Sequence, residues 1–134
     1  MSVQSRPMLG TTAKALLVPV MLRLFSIAFI ASCLQHWGAF MGMPNVVPFQ
    51  DMPIHAQVAT IAFAVIKPFV AVGLWLLASW GVILWVLIAV AEIGLHVVYG
   101  PVFFDPLAVT VFHGVTLALY LVVAWLTAEP GTEI

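Results

Sequence analysis

Four apolar stretches, each long enough to cross a bilayer, fill most of this chain, and they constrain its fold more than anything else in it. A helix needs about 20 apolar residues to span about 30 Å of hydrocarbon. Stretches that qualify run at 15–40, 54–77, 80–99 and 106–127. Each is apolar nearly all the way round, as a helix surrounded by lipid should be. The expected fold class is therefore all-α, a four-transmembrane-helix bundle forming a single integral membrane domain over residues 1–134. A soluble alternative fails for lack of a polar shell. Hydrophobic residues make up 64% of the chain and charged ones 7%, and mean hydropathy is +1.20, far from globular usage.

The connections are short and well marked. Gly42 to Pro53, with Pro44, Pro48 and Asp51, reads as the longest loop. Ala78-Ser79-Trp80-Gly81 reads as a tight turn, which makes the second and third helices antiparallel neighbours. Asp105-Pro106 suits a helix start, with Asp as N-cap and Pro in the first turn. The run from Ala15 to Met43 is too long for a signal-peptide core and lacks a small-x-small cleavage pattern, so it reads as a retained helix. Arg6 and Lys14 precede the first helix, Arg23 lies in its first half, and the loops carry no Lys or Arg. Both termini are thus expected in the cytoplasm, and the protein in a bacterial inner membrane. Trp37, Trp80, Tyr99 and Trp125 near helix ends fit an aromatic belt. A net charge of −1 offers no footprint for nucleic acid. Cys33 is the only cysteine, which leaves no intrachain disulfide and reads as a small buried hydrophobe.

Ionisable groups in hydrocarbon cost about 2.5–3.5 kcal/mol each on insertion scales, so they turn inward and seek partners. At about 1.5 Å rise per residue, His36 and His96 lie about 6 Å from the outer helix ends, Glu92 and His113 about 10–12 Å, and Lys67 about 20 Å. Glu92 and His96 share one face of the third helix. His113, Thr116, Tyr120 and Thr127 line one face of the fourth. The expected intramembrane polar cluster is Lys67, Glu92, His96, His113 and Tyr120, with Glu92 facing His113 and Lys67 reaching toward Glu92. Its bland reading is an ion-pair and hydrogen-bond network that glues the bundle. Arg23 is expected to snorkel to the near surface, and His36 and His55 to sit solvated at the outer interface. Pro68 should free the carbonyl of Ala64 and kink the second helix beside Lys67.

These residues bear unequally on the chemistries available to a small bundle. Haem between two imidazoles would draw on His36, His96 and His113, but no arginine lies nearby for its propionates. A di-iron carboxylate site fails, since the spans hold one glutamate where several are needed. Met41, Met43, Met52 and His55 around the long loop give a weak copper pattern, and no metal site is assigned. Ser26, Ser32 and Ser79 lack a base and an orienting acid, so no catalytic residue is assigned. A quinone or lipid cleft lined by His, Glu and Tyr suits the residues better, with Glu92 and His113 exchanging protons.

Leu22-Arg23-Leu24-Phe25 and Leu34-Gln35-His36-Trp37-Gly38 resemble the first-helix pattern of DoxX-like small four-helix membrane proteins. In those proteins a Leu-Arg-Leu run is followed by Gly-x-x-Lys near the helix end, and here His36 falls near that lysine. Val72-Gly73-Leu74-Trp75-Leu76, Trp80-Gly81-Val82 and Ala91-Glu92 are similar to an uncharacterised alphaproteobacterial family of small membrane proteins. The resemblance implies the four-helix architecture and, through the quinone-linked sulfur oxidation of some DoxX relatives, a redox setting. The expected function is a non-enzymatic accessory or scaffold subunit of a membrane complex, in contact with lipid and with a membrane-protein partner or further copies of itself. The alternatives are a quinone- or haem-binding redox component and a small proton-coupled transporter.

Overall fold

The computed structural model describes residues 11–100 and 106–128. Four helices follow one another: α1 (Thr11–Met41), α2 (Ile54–Trp75), α3 (Ser79–Tyr99) and α4 (Pro106–Thr127). All four are long and apolar enough to cross a membrane. The chain is thus an all-helical multi-pass membrane protein in architecture. A single 3-10 turn at Phe49–Asp51 interrupts the long loop. The Asp105 N-cap and Arg6 lie outside the described residues.

The tight turn differs from the expected one in an informative way. It runs Leu76–Ala78, and Gly81 belongs to α3. Leu77 takes a left-handed conformation (φ 58°), and Ala78 and Leu77 donate back to the carbonyls of Gly73 and Leu74 at 2.9 and 3.1 Å. Glycine is the usual residue at such a helix end, and leucine there stores about 1–2 kcal/mol of backbone strain. Gly81 is needed elsewhere. A Cβ on Gly73 would fall 2.5 Å from Gly81 Cα, so the two helix backbones touch at these glycines. Small residues permit this approach, which packing in lipid exploits.

At the other end of the bundle, Gly42 (φ 66°) ends α1, with Met43 N–H donating to Gly38 O at 3.0 Å. The Gln57 amide holds the long loop down by donating to Phe49 O and Met52 O at 3.2 and 3.1 Å. His55 stacks on Tyr99 with ring centroids 4.5 Å apart, so it is committed to a neighbour and not simply solvated.

Pro68 sits inside α2 and deprives the Ala64 carbonyl of its helical donor. The structure supplies two replacements from α1: Trp37 Nε1 at 3.3 Å and Cys33 Sγ at 3.6 Å. Trp37 is therefore a donor to the bundle as well as a ring at its edge. A second clasp joins the same helices, Ser26 Oγ donating to Ala71 O at 2.7 Å. The apolar core lies toward the α2–α3 turn, where Phe25, Phe29, Phe63, Val70, Leu74 and Trp85 pack together. Trp85 meets Phe25 at 5.4 Å and the edge of Tyr120 at 5.5 Å. Only 17% of the apolar window of α4 is buried, against 50% for α2. That makes α4 the most lightly held helix.

Replacing Gly73 or Gly81 by Ala is expected to push α2 and α3 apart and destabilise the protein by about 1–3 kcal/mol, the usual range for overpacking. Thermal unfolding in detergent, followed by circular dichroism, measures this against Gly94→Ala. At Gly94 an added Cβ meets nothing within 4 Å, so that variant should be neutral.

Candidate functional site

Beyond the apolar core, side chains from all four helices converge on a buried lysine–glutamate pair. Lys67 on α2 is 1% exposed and Glu92 on α3 is 2% exposed. An ammonium has three protons to donate and no lone pair. Lys67 Nζ lies 2.7 Å from Ser32 Oγ, 3.1 Å from His36 Nε2 and 2.8 Å from Glu92 Oε1. Three donors thus meet three acceptors. His36 must accept at Nε2 and so carries its own proton on Nδ1. The second carboxylate oxygen, Glu92 Oε2, lies 2.8 Å from His113 Nε2 on α4, which donates to it. His96 donates from Nδ1 to the backbone carbonyl of Glu92 at 2.8 Å. With neutral imidazoles, the lysine and carboxylate charges cancel, which is the condition for keeping ions in a medium of low dielectric constant. The ring of Phe63 adds a cation–π contact, 5.4 Å from Lys67 Nζ.

Of the expected cluster, Lys67, Glu92 and His113 come together through side chains, and His96 joins through the backbone of Glu92. Tyr120 does not join; it packs on Trp85 within the apolar core. Thr116 and Thr127 spend their hydroxyls on carbonyls of α4 itself, at 2.9 and 2.8 Å, so only His113 of that polar stripe reaches the site. His36 corrects the expectation of a solvated imidazole. It is 2% exposed, and the long loop folds over it, with Val46, Val47 and Met52 closing a small cavity beside its ring. Counting depth from the helix end missed this cover. Ser32 was also missed as a partner. Phe25, Phe29, Ser32, His36 and Ala39 recur at steps of four and three, a helix-face signal that places Ser32 and His36 on the buried side. Arg23 stacks over Trp75, 5.6 Å from the ring centroid, level with the end of α2, as a snorkelling side chain would.

A cleft of about 500 Å³ opens on the side of the bundle between α1 and α4. Alanines make the space: Ala28 and Ala31 on one wall, Ala108 on the other, with Phe112 beside it. Its polar lining is Ser32, Gln35, Glu92 and His113. Lys67 does not line it and stands behind Glu92. His113 Nδ1 is buried with no hydrogen-bond partner among the described residues.

A haem held between His36 and His113 does not fit here. His36 and His113 both direct Nε2 to Lys67 and Glu92, and a macrocycle between them would displace the ion pair. The copper pattern is likewise dispersed: Met52 Sδ accepts from Thr60 Oγ1 at 3.5 Å, while His55 stacks on Tyr99.

Residues 16–130 match the model of a family described as a family of unknown function, DUF6163. The chain belongs to that family. No curated protein and no solved structure matches it. The match runs from near the start of α1 past the end of α4, so the matched stretch contains every residue of the polar centre. It is an uncharacterised family, and nothing in the matches names DoxX or alphaproteobacteria.

Glu92→Gln leaves a buried lysine facing neutral acceptors only. Breaking a buried pair from one side costs about 3–5 kcal/mol, and Lys67→Met should cost a similar amount. The double variant should recover a large part of the loss. Unfolding free energies of the four proteins in detergent measure the coupling; strictly additive losses would show that the two charges do not act as one unit.

Proposed function

We propose that this protein binds the head group of a membrane-dissolved amphiphile of the isoprenoid-quinone class in the α1–α4 cleft. The observation that carries this reading is the opening of a mostly apolar cleft onto the Glu92–His113 hydrogen bond. An apolar tail can stay in lipid while a polar ring reaches Ser32, Gln35, Glu92 and His113. Charge favours a neutral head. A phosphate entering there would meet the Glu92 carboxylate first, because Lys67 lies behind it with all three protons engaged. A carbonyl or hydroxyl meets donors and acceptors instead. Glu92 and His113, 2.8 Å apart, form the kind of pair through which a proton is exchanged with a bound ring. The protein itself needs no catalytic residue for this role.

In this reading the bundle lies in a bacterial inner membrane with both ends cytoplasmic, on the Lys and Arg bias of the first helix. An accessory-subunit role in a larger membrane assembly agrees with it, since α4 offers a lightly packed apolar flank away from the cleft, with Leu121 and Trp125 outward. Such a subunit would bring its bound ligand to a membrane partner.

Purification in mild detergent followed by solvent extraction and mass spectrometry should find quinone at a level well above its share of the bulk lipid. Ala108→Phe narrows the cleft without touching the ion cluster. It is expected to lower bound quinone about tenfold, as ~1.4 kcal/mol of lost contact would, with helix content unchanged. A wild-type protein carrying no excess quinone, or an Ala108→Phe variant carrying as much as wild type, would overturn the reading.

A further inference from the structure

Arg23 stands apart from the polar centre. It is the one arginine among the described residues, it lies in α1, and it is exposed. The ion pairs among the described residues all converge on Glu92, so no described carboxylate serves Arg23. Its guanidinium carbon lies over the Trp75 ring, 5.6 Å from the centroid. Among the described residues its N–H donors meet no acceptor, so they stay available. Those donors form a fork that matches a phosphate.

A second groove, about 380 Å³, runs between α1 and α2 and has Trp75 in its wall. Ile27, Ile30 and Val72 line it. Ile27 lies one turn from Arg23 on the same face of α1, so the arginine stands at the groove's end. The only hydroxyl in the wall, Ser26 Oγ, is spent on Ala71 O at 2.7 Å. The groove therefore offers an acyl chain an almost wholly apolar wall. Trp75 ends α2 and Trp80 lies in the first turn of α3, a placement that sets this end of the bundle at head-group depth.

We infer that Arg23, Trp75 and the α1–α2 groove form a site for one anionic phospholipid of the leaflet that holds the α2–α3 turn. The phosphate bonds the guanidinium N–H groups, Trp75 holds the guanidinium through the cation–π contact, and one acyl chain lies along Ile27 and Ile30. The inference is independent of the quinone reading, because the two clefts lie on different sides of α1. They also select opposite chemistries: a neutral head beside Glu92, and an anionic one beside Arg23.

The test compares phosphatidylglycerol with phosphatidylcholine of the same chains, titrated into the full protein in non-ionic detergent and read by native mass spectrometry. A basic residue at a charged surface is worth about 1 kcal/mol, which corresponds to about fivefold tighter binding of phosphatidylglycerol. Arg23→Gln should abolish that preference and leave phosphatidylcholine binding unchanged. Arg23→Lys keeps the charge without the fork and should retain only part of it. Ile27→Trp should weaken both lipids by filling the groove, and it keeps the test available if Arg23→Gln does not fold. Inorganic phosphate alone should not bind. Equal binding of the two lipids by the wild type would overturn the inference. So would a preference that survives in Arg23→Gln, or phosphate binding as tightly as the lipid.

Discussion

Three protons on one buried ammonium decide how this bundle closes. In water a lysine finds acceptors anywhere; in hydrocarbon each N–H must meet one inside the protein. Lys67 takes one acceptor from α3 and two from α1, Ser32 and His36. Glu92 then needs a second donor and draws in α4 through His113. The polar centre therefore fixes which faces of the four helices look inward, a task that apolar surface alone does poorly when the solvent is equally apolar.

Much of this was legible in the chain, for a physical reason. Span lengths follow from bilayer thickness, so α4 runs as expected and the ends of α2 and α3 differ by one or two residues, the ordinary scatter of helix ends. Scarcity made Lys67, Glu92 and His113 stand out, since a charge within an apolar span has few partners available. His36 escaped because depth along a helix says nothing of what folds over its end. Gly81 escaped because a glycine beside a turn looks like part of it until the opposing backbone at Gly73 is known. Tyr120 was misplaced because a polar stripe shows which residues share a face and not which neighbour that face meets.

The two clefts follow from where the sequence places small and large side chains on α1. On the α4 side, Ala28 and Ala31 leave room beside a neutral ion pair. On the α2 side, Ile27 and Ile30 flank a groove that ends at a cation. A single helix thus presents one flank suited to uncharged hydrogen-bonding rings and another suited to anionic lipid. Membership in an uncharacterised family places the weight of functional argument on such local chemistry.

The proline in α2 has one more effect. A bare carbonyl in hydrocarbon costs several kcal/mol, and among the described residues that of Ala64 is covered by groups on α1, Trp37 and Cys33. Sliding or tilting α1 against α2 would uncover it, so the first two spans are locked in register by what would otherwise be a helix defect.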